Sequence, residues 1–357
     1  MDEFKILTIN PGSTSTKIGV FTNEEIIFEE TLRHSNEELE QFDDIYSQLD
    51  FRKNIIESFL EKKNVDLNDF SAIVGRGGLV KPMTSGTYEI EAELINDLKN
   101  GVGGSHASNL GGVLANSIAS EFGLKSFIVD PVVVDELDDV ARITGIKDVF
   151  RQSKFHALNQ KAVAKRYADE CSKKYEELNL IVVHLGGGIS VGAHRCGRVV
   201  DVTNAIGGEG PFTPERCGFV PAADIIEMCF SGKYEKSDMK KFIAGNGGLT
   251  SLVETNDVRE ILAKLDSGNP EIDLVYDAFI YNVAKEVGSM ATVLDGRVDR
   301  IILTGGIAYS DRVTADIVKK IGFISDVTVY PGEDELLALC QGALRVLRKK
   351  EEVKVYC

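Results

Sequence analysis

The sequence predicts an α/β protein built from two related domains. Three observations predict it. Short, strongly apolar runs alternate with longer stretches of helical apolar spacing, the pattern of parallel strands covered by helices. A strand, a glycine turn and a returning strand occur near the start and again about 175 residues later. The length of 357 residues suits about two domains, and 43% apolar residues can fill their cores.

Each element follows from its own stretch of chain. Lys5 to Asn10 reads as a strand, Pro11-Gly12-Ser13 as a turn and Ser15 to Phe21 as the returning strand, with Ile26 to Leu32 as a third. Residues 38–62 place Leu39, Phe42, Ile45, Leu49, Ile56, Phe59 and Leu60 on an imperfect helical stripe. Ala72-Ile73-Val74 is an apolar strand. Residues 89–99 read as a short helix, and Ala107 to Phe122 as another ending near Gly123. Phe127-Ile128-Val129 is again strand-like. Residues 155–177 carry Leu158, Ala162, Tyr167 and Cys171 at near-helical spacing. Leu180 to Leu185, the Gly186-Gly187-Gly188 turn, Ile189 to His194 and Arg198 to Thr203 then repeat the opening pattern, which points to duplication of one strand–turn–strand unit. Pro270 can open a long helix running to about Leu294. Ile301 to Thr304 is a short strand before Gly305-Gly306, and residues 333–349 read as helix.

Composition narrows the function. The net charge of −16 disfavours nonspecific binding to nucleic acid or an anionic membrane, while leaving room for a local cationic pocket. No apolar run has membrane-spanning length, and the start MDEFKILTIN has acids where a secretory signal would be basic. The six cysteines lie far apart, without zinc-knuckle or CxxC spacing. A reducing, cytoplasmic setting is expected. Glycine is abundant at 34 residues against 8 prolines, which suggests tight turns or close backbone approach to a ligand.

The glycine turns are candidate anion sites. Around Gly12, the residues Asn10, Ser13, Ser15 and Lys17 add side-chain donors, and Lys17 could supply positive charge. Gly186, Gly187 and Gly188 repeat the arrangement. Such turns let backbone N–H groups approach an anion with no β-carbon in the way. An ordinary β-hairpin is the alternative for either turn. Neither fits GxGxxG or GxxxxGK[ST] in strand–turn–helix context, so Rossmann and Walker readings are excluded. Two domains facing across a cleft, each offering a glycine hairpin to one polyphosphate, is the expected arrangement.

Charged residues in compact loops complete the candidates. Arg76 sits in GRGG after an apolar strand, and Arg216 lies in PERCG; each could instead pair with one of the many acids. His106 and His156 precede helical stretches, where a helix N-terminus favours an anion; each could equally cap its helix. His184 stands on the strand before GGG and could mainly hold that turn. Asp130 follows a strand and precedes Pro131, a place suited to orienting Mg²⁺ or its water, or to capping a turn. Glu209, Glu215 and Asp201 are weaker candidates in so acidic a chain.

The segments ILTINPGSTSTKIGVF, AIVGRGG, SHASNLGG, RQSKFHALNQ, HLGGGISVGAHRCGRVVD, GEGPFTPERCG, ILTGGIAYS and YPGEDELLALCQGALRVL span nearly the whole chain. Together they resemble the acetokinase family, the short-chain carboxylate kinases of the actin, sugar-kinase and Hsp70 superfamily. GGIAYS and PGEDE favour its butyrate-type group over acetate kinases. The resemblance implies duplicated ribonuclease-H-like domains with a central active-site cleft, over 1–148 and 149–332, the first completed by a C-terminal helix within 333–357. It implies reversible phosphorylation of butyrate or another short-chain fatty acid by ATP, with ADP as product and Mg²⁺ as cofactor. It also implies a homo-oligomer, a dimer or larger, acting without nucleic acid or membrane. It puts Arg76 and Arg216 around the carboxylate and the transferring phosphoryl group, His156 at that phosphoryl group and His106 nearby. His184 belongs to its nucleotide-phosphate motif, and Asp130 to its magnesium chemistry. Gly305, Gly306 and Ile307 would approach adenosine or ribose. Where acetate kinases read GIGEN, this chain has Tyr309, a poor metal ligand that would support the nucleotide loop. An isobutyrate or acetate kinase is the near alternative. A nonenzymatic, nucleotide-dependent interaction protein of actin or Hsp70 type is the alternative of another class.

Overall fold

The computed structural model describes residues 3–265 and 268–357; Met1 and Asp2, part of the acidic start, lie outside the described residues, as do Asp266 and Ser267. The chain forms two compact units, Met1–Val134 with Asp334–Cys357, and Asp135–Glu333.

The first unit holds a six-stranded sheet. Its strands are β1 (Lys5–Pro11), β2 (Ser15–Thr22), β3 (Glu25–Arg33), β4 (Ala72–Arg76), β5 (Thr87–Glu89) and β6 (Lys125–Val129), in the order β3-β2-β1-β4-β6-β5. The hairpin strands run antiparallel, β1, β4 and β6 run parallel, and β5 is antiparallel at the edge. β4 is apolar without alternation because both faces are covered. The helix Asn109–Glu121 packs against β4 and β6, and the helix Glu335–Leu347 against β1 and β4. Ile73, Leu110, Leu114 and Ile118 share one core cluster. At Gly111 a β-carbon would lie 2.3 Å from the Arg76 carbonyl oxygen, so only glycine lets that helix sit against the end of β4.

The second unit holds β7 (Asn179–Leu185), β8 (Ile189–Arg195), β9 (Arg198–Val202), β10 (Arg300–Gly305) and β11 (Val327–Pro331), in the order β11-β10-β7-β8-β9. The helix Pro270–Val293 covers one face, where Val283 and Val287 join Ile181, Val183 and Leu303. The helix Ala157–Glu170 covers the other, where Ala164 and Tyr167 meet Leu180, Val182 and Ile302. Strand for strand, β9-β8-β7-β10-β11 repeats β3-β2-β1-β4-β6 in order and in sense. That correspondence is what a duplicated unit produces.

The long helix Pro270–Val293 matches its expectation, with Asn269 accepting the Glu271 amide N–H at 3.1 Å and proline at the first turn. Other segments differ. The single helix expected over 38–62 is a short helix at Asn36–Leu39, a 3₁₀ turn at Tyr46–Gln48 and a helix at Leu49–Lys62. Ser35 and Glu38 cap the first piece reciprocally, and Asp44 and Ser47 bond to each other's backbone, which breaks the repeat between the pieces. The helix expected over 155–177 stops at Glu170, because Ser172 turns left-handed at φ 54°. Strands β5 and β11 were not expected; β5 is only three residues long, whereas Val327-Thr328-Val329-Tyr330 in β11 carries a β-branched and aromatic strand signal that the sequence reading missed. Residues 135–148 pack with the second unit: Asp138 donates its amide N–H to Val200 O at 2.9 Å and its carboxylate pairs with Arg195 at 2.8 Å.

Candidate active site

In the first unit the parallel strands deliver their carboxyl ends to one side, where ligands of open α/β sheets bind. Asn10 is the penultimate residue of β1 and Arg76 ends β4. The carboxylate of Glu335, the first residue of the C-terminal helix, joins both. Its Oε2 accepts from Arg76 at 2.6 Å and from Asn10 Nδ2 at 2.5 Å, and Arg76 also donates to Asn10 Oδ1 at 3.3 Å. Glu335 lies inside a quoted motif, yet in so acidic a chain its letter carries no signal. Its place emerges only when the helix is docked.

His106 is exposed, two residues before Ser108, which caps the helix Asn109–Glu121. Its Nδ1 accepts the Ser108 amide N–H at 3.2 Å. Partial desolvation, then the charge of Arg76, lowers its pKa. Asp130 follows β6 in a left-handed conformation at φ 38° and is buried. Its Oδ1 accepts the Ser85 hydroxyl at 2.6 Å and the Gly86 amide at 2.7 Å, so the carboxylate caps a turn.

Ser13 and Ser15 line the β1–β2 turn, while Lys17 lies on β2 and pairs with Glu29 at 3.0 Å. The cation directly beneath the turn is Arg52, which the sequence reading missed inside a helical stripe. It is fully buried and donates to Gly12 O, Ser13 O and Ser15 O at 2.9–3.0 Å. Among the described residues no carboxylate lies within ion-pair distance of it. Burial pulls its pKa down to about 10, so it stays charged at neutral pH. By taking the carbonyls from behind, Arg52 shapes a turn whose outer side suits an anion.

In the second unit His156 caps the helix Ala157–Glu170, and its ring stacks on that of His184 at 3.7 Å with an 8° tilt. His184 stands on β7 just before the Gly186–Gly188 turn. Arg216 folds across that turn. A β-carbon on Gly188 would lie 2.1 Å from its guanidinium, so glycine lets Arg216 take this position and a larger residue would push the guanidinium aside. Arg216 donates to Ala205 O, and its loop is tied to the turn by Thr213, whose hydroxyl bonds Gly187 O at 2.7 Å. Desolvation lowers the pKa of Arg216, with Glu215 opposing.

Beside the turn opens a cavity of about 750 Å³, lined by Gly187, Pro214, Gly306, Ile307, Tyr309 and the 256–262 segment. Gly305 ends β10 behind Gly306. Tyr309 is exposed, and its hydroxyl lies over the backbone of Gly332. Asp257 and Arg259, paired at 2.6 Å on the cavity wall, were not foreseen; no motif marks them. The size suits a drug-sized or nucleotide-sized ligand. Two site fragments thus result. Asn10, Ser13, Ser15, Arg76, His106 and Asp130 lie in one unit; His156, His184, Gly186–Gly188, Arg216 and Gly305–Ile307 lie in the other.

Comparison with known proteins gives these fragments a context. Residues 138–337 match the model of the acetokinase family. A probable butyrate kinase of Clostridium botulinum (strain Alaska E43 / Type E3) is 57% identical over 353 residues, covering 99% of each chain. Butyrate kinase 2 of Clostridium acetobutylicum is 55% identical over 354 residues, again covering 99% of both. Among solved structures, Porphyromonas gingivalis acetate kinase superposes with a TM-score of 0.78 at 18% identity, over 96% of this chain and 100% of the other. A propionate kinase of Francisella tularensis gives a TM-score of 0.75 at 18% identity, over 95% and 98%. At that identity the two structures establish the fold.

Proposed function

The chain belongs to the acetokinase family, and we propose on that footing that it is a butyrate kinase, transferring the γ-phosphoryl group of ATP reversibly to butyrate. One observation carries the substrate: 55–57% identity to butyrate kinases along 99% of the chain. A carboxylate is ionised at neutral pH, so it attacks phosphorus without a general base, and catalysis is positioning plus charge stabilisation. An acyl phosphate and ADP result.

The residue roles are part of the proposal. In the first unit Arg76, held in place by Glu335 and Asn10, orients the carboxylate, with exposed His106 beside that charge. The β1–β2 turn, with Ser13 and Ser15 outside and Arg52 beneath, receives phosphate oxygens; Lys17 adds charge at longer range. In the second unit His156 and Arg216 serve the transferring phosphoryl group, and Gly186–Gly188 align the nucleotide phosphates with His184 behind them. Gly305, Gly306 and Ile307 form the wall of the nucleoside cavity.

Family membership implies ATP with Mg²⁺. Among the described residues no three His, Cys, Asp or Glu side chains cluster as a metal cage. That fits Mg²⁺, which takes one or two carboxylates and otherwise nucleotide phosphates and water. Glu335 is the better-placed ligand; Asp130, whose carboxylate caps a turn, would act on the metal's water shell. The ion supplies charge neutralisation between phosphates when bound.

No helix among the described residues is long and apolar enough to cross a membrane. All six cysteines are unpaired, which supports a reducing, cytoplasmic setting. Self-association belongs to the same proposal: the helix Ala222–Phe230 buries none of its residues, and Ile226 and Phe230 are exposed.

Purified protein with MgATP and a panel of acetate, propionate, butyrate, isobutyrate and isovalerate tests the reading. ADP release coupled to hydroxamate trapping should show butyryl phosphate as a preferred product. ATP turnover indifferent to every acid, with no acyl phosphate trapped, would sink it.

A further inference from the structure

The reaction asks His156 for a hydrogen-bond donor, so it matters which ring nitrogen carries its proton. A buried chain of side chains behind it decides this. Ser190 O can only accept, and Gln160 Nε2 donates to it at 3.0 Å, which fixes the orientation of the Gln160 amide. The same Nε2 donates its second hydrogen to Ser190 Oγ at 2.9 Å. The Ser190 hydroxyl is fully buried. Its oxygen also receives the His156 amide N–H at 3.5 Å. The acceptor left for its own hydrogen is His156 Nδ1, at 2.9 Å.

The far end of the chain agrees. With Nε2 committed, Gln160 Oε1 must accept, and it faces His194 Nε2 at 3.0 Å. The other nitrogen of His194 meets the Tyr175 hydroxyl at 2.7 Å. Burial, with Lys161 nearby, pushes the pKa of His194 well down, so it is neutral with its proton on Nε2. The bonds from the Tyr175 hydroxyl through His194, Gln160 and Ser190 to His156 Nδ1 then each pair one donor with one acceptor.

The neighbouring residue on the same helix treats the stacked partner oppositely. Asn159 Nδ2 donates to Glu333 O at 3.2 Å, so its Oδ1 accepts from His184 Nδ1 at 2.7 Å. His184 therefore carries a proton on Nδ1.

We infer that Gln160, acting through Ser190, holds His156 as the neutral Nε2–H tautomer and is a positioning residue for phosphoryl transfer. The transfer role rests on the kinase reading above; the proton placement does not. His156 then presents a fixed N–H donor from a rigid helix end, with no rearrangement required when charge develops.

The test is two-bond ¹H–¹⁵N correlation on the full-length, ¹⁵N-histidine-labelled protein, with parallel kinetics. In the wild type, His156 should show its proton on Nε2 and His184 should show one on Nδ1. Gln160→Glu removes the N–H given to Ser190 Oγ, because one acid proton cannot serve both Ser190 atoms. The hydroxyl is then free to accept, and the Nδ1–H fraction of His156 should rise. Ser190→Ala should also mix the tautomers and lower kcat at least about tenfold, with KM for ATP changed less than about threefold; Ser190→Thr should restore both. A wild-type His156 protonated on Nδ1 overturns the assignment. So do wild-type tautomer and kcat in both folded variants. If the proton moves as expected while His156→Ala keeps full activity, the positioning role and the catalytic reading of His156 fall together, and the proton placement stands.

Discussion

Arg76 and Arg216 keep a guanidinium ready for an anion in opposite ways. Arg76 is half-exposed and shares a carboxylate oxygen of Glu335 with Asn10, so its direction is set by a partner that a substrate or metal can compete for. Arg216 has no carboxylate within ion-pair distance among the described residues and is aimed instead by a backbone carbonyl and a glycine turn. A desolvated cation with no direct ion pair stabilises an anion strongly, which is why it belongs at developing charge. Arg216→Ala and Arg76→Ala should each lower kcat/KM by about 10²-fold, roughly 2.7 kcal/mol. Glu335→Gln should match that loss and shift the Mg²⁺ requirement upward, whereas Asp130→Asn should act mainly on kcat. The check is steady-state kinetics of folded variants across a Mg²⁺ titration with ATP held constant. Near-normal kcat/KM in both arginine variants removes them from the catalytic account, and an unchanged Mg²⁺ dependence in Glu335→Gln removes that carboxylate from the metal. Both arginines were legible as candidates from their glycine-flanked motifs. Glu335, Arg52 and Gln160 were not, because their roles are contacts to residues 30 or more positions away.

At the scale of the element, the β1–β2 turn shows how a phosphate-type hairpin is held from behind. Arg52 reaches it from the helix Leu49–Lys62, and His34 closes it from the end of β3, bonding Thr16 Oγ1 at 2.9 Å and donating its amide to Thr14 O at 2.9 Å. His34 Nδ1 is buried without a hydrogen-bond partner among the described residues. Desolvation, then Arg52, lowers the His34 pKa to about 4, with Glu38 opposing. Between that value and the ordinary 6.5 the unfolded chain binds a proton that the folded one refuses, so stability rises with pH across the window. The stability associated with neutral His34 should therefore be intact above about pH 6.5 and lost as pH falls toward 4. Urea unfolding at half-unit pH steps should show this loss in the wild type and a shallower one in His34→Gln. Equal slopes in the two proteins would mean that His34 does not titrate as described. The strand–turn–strand pattern was readable from apolar runs and glycine. Arg52 and the His34 imidazole that organise it were not, because the apolar pattern does not reveal which polar residues point inward.

For the whole molecule, the repeated strand order is the strongest sign of duplication. The two units share a scaffold but have divided the chemistry: the first offers arginine and carboxylate at strand ends, the second a stacked histidine pair and a cavity of about 750 Å³. The apolar outer helix Ala222–Phe230 is a feature the core does not use. Phe230 is 86% exposed and Ile226 56%, in a chain otherwise acidic enough to repel its copies. Phe230→Glu with Ile226→Lys should lower the oligomeric state measured by light scattering at fixed concentration, with the protomer's unfolding free energy within about 1 kcal/mol of wild type, since both side chains face outward. Unchanged mass in the folded double variant would place self-association elsewhere.

The sequence by itself determined the fold class, the two hairpins, the long helix from Pro270 and the family, because each rests on local pattern or on motifs spread along the chain. Those are properties of neighbouring residues, and periodicity reports them directly. Only the tertiary structure decided where the unit boundary falls, which carboxylate meets Arg76, that Asp130 caps a turn, and that Asn159 and Gln160 place the protons of two histidines. Each depends on the burial and direction of groups far apart in the chain. A hydrogen bond commits its donor only when solvent is excluded and the partner is fixed, and composition and spacing contain neither condition.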